Sequence, residues 1–287
     1  MAETANGLGI AVSKSNDELI EDLKHELRRR ADPERAPAMQ KYMKSTMPYL
    51  GIMSTPLREI CGSVFLRFPL ELNAYRATSL SLWRGASFRE ERYAAIQLSG
   101  FKAYRSFQTP TLIPMYEEMI VAGAWWDYVD TIAIDRIGPI LRTHRAEMTP
   151  ILRSWSTDGD MWKRRTAIIA QVGLKDKVDF DLLVPAIVPN LADREFFIRK
   201  AIGWALRQDA KRFPERVEMF VRQNEDRLSG LSRREALKGI GYGRASQAAG
   251  RMMGSTNRRL QGGNDRLSPK CDTRHVFMST RSAARPL

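Results

Sequence analysis

RRTAIIA (residues 164–170) is one of five helical segments that recur along the chain at nearly constant spacing. Each segment places a small alanine before an apolar residue on a charged helix, and the other four are RYAAIQL (92–98), DTIAIDR (130–136), RKAIGWA (199–205) and RREALKG (233–239). Aligned on Ala95, Ala133, Ala167, Ala201 and Ala236, the segments lie 38, 34, 34 and 35 residues apart. A helical period in the mid-thirties predicts an α-solenoid of helix pairs, with the alanines where neighbouring helices approach closely.

The pattern around these segments is helical over most of the chain. From about residue 17 to Gly241, apolar residues recur at three- and four-residue steps, and no alternating strand pattern occurs. Ser15, Asn16 and Asp17 precede ELIEDLKHELRRR and predict a cap for the first helix. We therefore predict an all-α protein. Its parts are a disordered N-terminus (1–14), a helical-repeat domain (15–240) and a basic, disordered tail (241–287) that holds nine Lys and Arg against two Asp.

Composition limits the partner and the chemistry. The 287 residues are 43% hydrophobic, which is enough for a substantial core, and Lys+Arg 46 against Asp+Glu 33 gives a net charge of +13. Such an excess favours a polyanionic partner, most simply nucleic acid. Two cysteines and three histidines are scattered singly (Cys61, Cys271, His25, His144, His275), so neither a disulfide framework nor a zinc centre is expected. With no signal or membrane segment in the sequence, we expect a cytoplasmic protein without a membrane partner.

A row of basic side chains is predicted from the repeat. The residues two positions before each alanine are Tyr93, Thr131, Arg165, Arg199 and Arg234, and three of the five are arginines. Equivalent positions of a solenoid stack along one face, so these arginines could hold a phosphate backbone on a concave basic surface. The alternative is that they are ordinary solvated helix surface.

The segment AGAWWDYVDTIAIDRIG (122–138) combines indoles with carboxylates. Trp126 and Asp130 are four residues apart and share a helix face, whereas Trp125 falls on the apolar stripe and is predicted to be core. Asp127 suits the first turn of a helix, where a carboxylate meets free N–H groups. Asp130 has no such explanation, so it is either an ion-paired surface residue or a functional one. The remaining indoles at apolar helical positions are predicted to be core: Trp83, Trp155 and Trp162.

A carboxylate beside an indole on a basic surface suits one chemistry in particular. The sugar of a nucleotide that is losing its base becomes an oxocarbenium cation, which Asp130 would stabilise and a Trp face would contact. No candidate acid for protonating the base is evident, but purines alkylated at N3 or N7 are already cationic and need none. A glycoside hydrolase built on Asp127 and Asp130 is disfavoured, because its two carboxylates must flank the bond from opposite sides.

Five motifs in order also resemble a known family. They are KYMKSTMPYLGI (41–52), WWDYVD (125–130), WKRRTAI (162–168), FFIRKAIGWALR (196–207) and LSRREALK (231–238). Together they resemble the bacterial DNA alkylation repair glycosylases of the AlkD type, built from HEAT-like repeats, over roughly residues 17–240. The resemblance implies a right-handed α-solenoid of HEAT-like helix pairs with a concave basic DNA-binding face.

The resemblance also implies roles for individual residues. Asp130 is the catalytic carboxylate, Trp126 and Trp204 pack on the deoxyribose of the lesion, and Arg165 contacts the phosphate backbone beside it. Arg165 could instead pair with an Asp such as Asp130, and Trp204 could be plain core. The lesion would stay stacked rather than flip into a pocket, and neither a metal nor an organic cofactor is implied.

Further DNA contacts are predicted. The resemblance implies Tyr42, Thr55 and Arg58, and the row of arginines gives Arg199 and Arg234. Their basic neighbours complete the set: Lys44, Lys200 and Arg233. The segment GIMSTPLRE (51–59) is one residue longer than the usual loop, so Thr55 and Arg58 transfer less directly. The tail from Gly241 onward has no counterpart in the usual family member.

The sequence therefore predicts a monofunctional DNA glycosylase that excises N3- or N7-alkylpurines from duplex DNA in base excision repair. No lysine stands out as a Schiff-base nucleophile, so no strand-cleaving lyase step is expected. We expect a monomer that is nucleoid-associated when bound to DNA. Two alternatives remain: a non-catalytic helical-repeat module that binds damaged or branched DNA, and a protein-binding scaffold.

Overall fold

The computed structural model describes residues 16–241, and the regular structure within them is entirely helical. The helices are α1 (Asp17–Arg29), α2 (Ala36–Met43), α3 (Ser54–Arg67), α4 (Leu72–Arg84), α5 (Arg89–Ser99), α6 (Ile113–Gly123), α7 (Trp126–Ile132), α8 (Gly138–Thr143), α9 (Arg145–Trp155), α10 (Met161–Ile169), α11 (Phe180–Ile187), α12 (Phe196–Ala210), α13 (Pro214–Gln223) and α14 (230–241). Short 3-10 turns interrupt the connections at Lys102–Phe107, Pro110–Leu112, Lys175–Lys177 and Val188–Asn190.

Helix packing follows the predicted repeat. One row of helices runs through the domain, with α1 against α3, α3 against α5, α5 against α7, α7 against α10 and α10 against α12. The second members of the pairs pack on this row, as α4 does on α5, α6 on α7 and α13 on α12. All five repeat segments lie on the row, on α14 or, for residues 133–136, in the helical turn that directly follows α7. The all-α fold is confirmed and is consistent with an α-solenoid; its right-handed sense and its concave basic face stay predictions.

Local sequence signals explain the helix boundaries. α1 begins after Asn16, whose side chain accepts a hydrogen bond of 2.8 Å from the N–H of Leu19. Asn16 is therefore the cap that was predicted within Ser15–Asp17, since such a bond satisfies one of the free donors of the first turn. Ser15, the predicted disordered segment 1–14 and residues 242–287 of the predicted tail (241–287) lie outside the described residues. Gly241, the first residue of the predicted tail, is helical and is the last residue that the structure describes.

The core confirms most of the predicted burial. Trp83, Trp155 and Trp162 are all buried, and so are the five repeat alanines (Ala95, Ala133, Ala167, Ala201 and Ala236). Trp125, predicted to be core, is only partly buried and packs on the edge of the core. Within residues 16–241, no helix combines the length and the hydropathy that crossing a bilayer requires.

A close approach of α12 and α14 gives a stability prediction. A Cβ added at Gly203 would lie 2.6 Å from the Glu235 Cβ and 3.1 Å from the backbone of Ser232. We expect Gly203→Ala to lower the free energy of unfolding by about 1–3 kcal/mol, because the added methyl overpacks the contact. Denaturant unfolding measures the change.

Gly62 in α3 is the matched control for this prediction, because a Cβ there would meet nothing within 4 Å. Gly62→Ala should keep or raise the stability by up to about 1 kcal/mol, since alanine is the better helix former. Equal effects of the two substitutions would contradict the close approach.

Candidate active site

The WWDYVD segment forms the start of a long interrupted helix. Trp125 is extended, with φ −149° and ψ 143°, and α7 begins at the next residue. After Ile132 the chain continues through a π-helical turn, Ala133–Ile137, directly into α8. Pro139 explains this turn, because proline has no N–H to donate and its ring clashes with the carbonyl four residues earlier. Asp130 therefore lies one turn before a local widening of the helix, a feature frequent at functional sites.

Asp130 is held by a bidentate ion pair with Arg165 of α10. The Arg165 Nε donates to Oδ1 at 2.7 Å and Nη2 donates to Oδ2 at 2.8 Å, while Nη1 donates to the backbone carbonyl of Phe197. The side chain of Arg165 is 6% exposed and that of Asp130 is 15% exposed. The ion pair between Arg165 and Asp130, one of the two alternatives that the sequence left open, is thus present. The guanidinium of Arg165 is directed to these buried acceptors, so its side chain is not part of an exposed basic row.

The environment of Asp130 keeps one edge of the carboxylate available. Burial raises the pKa of Asp130, and the charge and hydrogen bonds of Arg165 oppose that rise. A carboxylate offers about four acceptor positions, of which Arg165 occupies two. The remaining edge can accept a hydrogen bond from water or lie against a cation. Because little water surrounds the carboxylate, its charge is screened less and both interactions are stronger than they would be in bulk water.

The two predicted sugar-packing indoles are both half-buried. Trp126 precedes Asp130 by one helical turn on α7 and packs on the edge of the core. Trp204 lies on α12, two turns or roughly 10 Å beyond Phe197, the residue whose carbonyl anchors Arg165. Neither indole stacks on another aromatic ring among the described residues. Each keeps part of its surface exposed, as a sugar contact requires.

Asp127 lies in the first turn of α7, as predicted, and is also part of a buried ion pair. Its two carboxylate oxygens accept from Arg89 Nη2, each at 2.7 Å, and Oδ2 also accepts from the Tyr93 hydroxyl at 2.6 Å. The side chains of Arg89 and Asp127 are 6% and 3% exposed. Asp127 is therefore enclosed and cannot face a sugar from across the site. This geometry argues further against a hydrolase that uses Asp127 and Asp130 as a pair.

Sequence reasoning missed Arg89, although the repeat contains a signal for it. Arg89 and Asp127 each lie six residues before their repeat alanine, at Ala95 and Ala133. Equivalent positions of adjacent repeats are neighbours in a solenoid. Opposite charges at such positions indicate an ion pair between the two helices.

The other members of the predicted basic row differ in exposure. Arg199 is half-buried and donates from Nε to the carbonyl of Asp193 at 3.0 Å, whereas Arg234 is exposed. The Thr131 hydroxyl donates back to the Asp127 carbonyl at 2.8 Å, and Tyr93 is bonded to Asp127 as above. Of the three arginines only Arg234 is fully exposed, so they are not uniformly solvated helix surface, and a row that holds a phosphate backbone stays a prediction.

Four predicted DNA contacts flank the loop between α2 and α3. Tyr42 is 68% exposed near the end of α2, and Lys44 ends that helix in the left-handed conformation with φ 49°. Thr55 and Arg58 are exposed on the first turns of α3. These four residues lie near the two ends of the connection between α2 and α3, residues 44–53.

The remaining predicted contacts lie on α12 and α14. Lys200 Nζ is 3.6 Å from the Glu235 carboxylate, and the exposed Arg233 pairs with Glu225 at 2.7 Å. Glu235 also pairs with Arg207 and Lys238, two cations that the sequence reasoning did not single out. Burial pushes the pKa of Glu235 upward, but these neighbouring cations outweigh it and the pKa is lowered. Three cations around one carboxylate leave a net positive cluster.

Comparison with known proteins identifies the family. Residues 23–240 match the model of a family described as DNA alkylation repair enzyme. The chain belongs to this family. A solved structure described as a predicted DNA alkylation repair enzyme from Enterococcus faecalis is 29% identical, with a TM-score of 0.60 over 72% of this chain and 95% of that one. A comparison with curated proteins finds no match.

Membership of the DNA alkylation repair enzyme family confirms the family that the motifs predicted. It supports an enzyme that acts in DNA repair, with DNA as its partner. Within residues 16–241, no group of three or more His, Cys, Asp and Glu side chains is placed to hold a metal ion.

Proposed function

We propose that the protein is a monofunctional DNA glycosylase that removes cationic N3- and N7-alkylpurines from duplex DNA. The observation that carries the proposal is the Asp130 carboxylate, which Arg165 fixes in place while 15% of the side chain stays exposed beside Trp126. Family membership supports repair of alkylated DNA as the setting. The enzyme would start base excision repair, act as a monomer and be found in the cytoplasm on the nucleoid.

The proposed chemistry uses the charge that the lesion already carries. The C1′–N bond breaks, its electron pair leaves with the purine, and the cationic base departs neutral. The sugar becomes an oxocarbenium ion, which the Asp130 carboxylate stabilises more than it stabilises the ground state. Water then adds to C1′ and passes its proton to Asp130, from which it reaches solvent. A base that leaves neutral needs no acid, so the site has no need of one.

The neighbouring side chains would hold the nucleotide for this step. Trp126 and Trp204 would contact the deoxyribose, whose growing charge favours an aromatic face. Arg165 holds Asp130 with two of its five N–H groups and the Phe197 carbonyl with a third, and by the family resemblance the remaining two would contact a phosphate oxygen. By the family resemblance the lesion stays stacked in the duplex rather than flipping out.

Two groups of predicted contacts would bind the DNA backbone on either side of this site. The contacts are Tyr42, Lys44, Thr55 and Arg58 around the α2–α3 loop, and Arg199, Lys200, Arg233 and Arg234 on α12 and α14. Lysine and arginine contacts to phosphates make the affinity fall steeply with salt.

A single-turnover assay on a duplex with one 7-methylguanine tests the proposed function. We expect release of the free base and an abasic strand that breaks only after alkali treatment. Salt-sensitive duplex binding without release would favour the non-catalytic DNA-binding module. Absence of salt-sensitive duplex affinity would favour the protein-binding scaffold.

The pH profile of excision gives a further prediction. Since burial raises the pKa of Asp130, its carboxylate is charged above that raised pKa and becomes protonated as the pH falls through it. We expect the enzyme-dependent rate to decline on the acid side with a midpoint above about 3.9, the value of an ordinary aspartate. Single-turnover rates, corrected for spontaneous depurination, measure this limb. A rate that stays constant down to about pH 4 would contradict the role of Asp130.

A further inference from the structure

A buried carboxylate in α5 fixes the loop that joins α2 to α3. Leu50, Gly51 and Ile52 donate their backbone N–H groups to the Glu90 carboxylate at 2.9, 2.9 and 3.1 Å. Glu90 is 0% exposed, so its charge is solvated by these backbone donors rather than by water. Gly51 has φ 85°, and a Cβ there would lie 2.0 Å from the carbonyl oxygen of Asp32. The conformation of the loop is therefore fixed by Glu90 on one side and by the close approach of Gly51 to the Asp32 carbonyl on the other.

The same loop separates the first cluster of proposed DNA contacts. Tyr42 and Lys44 precede it, and Thr55 and Arg58 follow it. The hydrogen bonds that the Glu90 carboxylate accepts consequently determine how the end of α2 and the start of α3 are placed relative to α5.

The residue before Glu90 connects this loop to the rest of the site. The Arg89 N–H donates to the carbonyl of Pro48 at 2.9 Å, within the loop. Its guanidinium lies over the rings of Tyr49, Tyr93 and Tyr128, with distances to the ring centroids of 5.7, 5.6 and 4.2 Å. The same guanidinium bonds Asp127 of α7.

A hydrogen-bond chain runs in parallel with Arg89. The Tyr49 and Tyr93 hydroxyls are 2.9 Å apart, and Tyr93 donates its only proton to Asp127. Tyr49 is therefore the donor to Tyr93, and the direction of the chain is from the loop to α7. Asp127 lies three residues before Asp130 on that helix, about 4.5 Å along its axis.

We propose that Arg89, Glu90 and Tyr93 of α5 are positioning residues that fix Asp130 relative to the DNA-contacting ends of α2 and α3. The inference rests on the proposed function, because it explains how backbone binding at one cluster aligns the carboxylate with a sugar. Arg89 and Tyr93 act through Asp127, and Glu90 acts through the loop. None of the three contacts the reacting atoms.

Tyr93→Phe is the variant that tests this coupling, because it removes one hydroxyl and leaves the ring in place. We expect the maximal single-turnover rate of 7-methylguanine release to fall about 10-fold or more, since small misplacements of a reacting group are costly. The enzyme concentration at half-maximal rate should change less than about twofold, because the DNA-contacting side chains remain. Hydrogen exchange of the full-length protein should become faster in both α7 and residues 50–52.

Tyr75→Phe is the matched control. The Tyr75 hydroxyl is also buried, donates to the Ser99 carbonyl and accepts from Gln108, but it has no link to α7 or to the loop. We expect this variant to lose stability as Tyr93→Phe does, with an unchanged maximal rate and unchanged exchange in α7.

The outcomes separate the two proposals. An active wild-type protein whose maximal rate and α7 exchange are the same in Tyr93→Phe as in Tyr75→Phe would overturn the positioning role alone. A wild-type protein that binds duplex and releases no base would overturn the proposed function. In that case hydrogen exchange alone would test the coupling: faster exchange in both α7 and residues 50–52 of Tyr93→Phe, but not of Tyr75→Phe, would show that α5 couples α7 to the α2–α3 loop.

Discussion

Asp130→Asn should reduce the single-turnover rate of 7-methylguanine release by about 100- to 1,000-fold, the usual cost of removing a preorganised group that stabilises transition-state charge. The amide has nearly the shape of the carboxylate and can still accept one bond from Arg165, but it offers no negative charge to the oxocarbenium ion. Duplex affinity should be kept or slightly increased, because a negative charge is lost from a DNA-binding surface. Single-turnover kinetics and a binding titration on the same duplex measure the two effects.

Asp135→Asn provides the control for charge at this helix. Asp135 is exposed on the π-helical turn after α7, five residues beyond Asp130. Asp135 has no proposed contact with the nucleotide, so the single-turnover excision rate of the Asp135→Asn variant should stay within about twofold of the wild-type rate. Full excision by Asp130→Asn, with a native circular dichroism spectrum, would show that the carboxylate is not catalytic.

Local sequence patterns were sufficient for much of the fold. The spacing of the five repeat alanines predicted helical repeats, and all five are buried. Four lie on α5, α10, α12 and α14, and Ala133 begins the π-helical turn that follows α7. Burial of small residues at helix contacts is a consequence of backbone geometry that each segment carries in its own sequence. For the same reason the cap at Asn16 could be predicted, since a helix start is a local event.

The candidate site was harder, because its geometry depends on partners far along the chain. The motif placed Asp130 and Trp126 on one face, but the choice between a free and a paired carboxylate rested on Arg165, 35 residues later. Which of several nearby arginines turns inward depends on packing between helices, as the difference between buried Arg165 and exposed Arg234 illustrates. Periodicity gives the row of positions and not the direction of each side chain.

Two further features could have been found in the sequence, one by comparing repeat with repeat and one from a single proline. The opposite charges of Arg89 and Asp127 lie at equivalent positions of neighbouring repeats, and the structure joins them. Pro139 lies where it cannot complete an ordinary helix, which accounts for the π-helical turn at Ala133–Ile137. Trp125, by contrast, falls on the apolar stripe of its own segment, and only the extended backbone before α7 leaves it partly exposed.

Arg89→Leu should have the largest effect on stability of any single change considered, lowering the free energy of unfolding by about 3–5 kcal/mol. The substitution leaves the Asp127 carboxylate, 3% exposed, with the Tyr93 hydroxyl and without a cation. Breaking a buried pair is costly because the remaining charge has neither water nor a counter-charge. Denaturant unfolding of the full chain measures the loss.

Arg84→Leu is the comparison that isolates burial. Arg84 makes two bonds of 2.6 Å to Glu118, yet the side chains are 60% and 34% exposed, so the loss should stay below about 1 kcal/mol. Adding Asp127→Leu to Arg89→Leu should recover much of the stability, because apolar residues can replace a buried pair at little net cost. Excision should not recover in the double variant, since the bonds that orient α7 beside Asp130 remain absent. A double variant as unstable as Arg89→Leu alone would mean that packing around the three tyrosine rings, rather than the unpaired carboxylate, causes the loss.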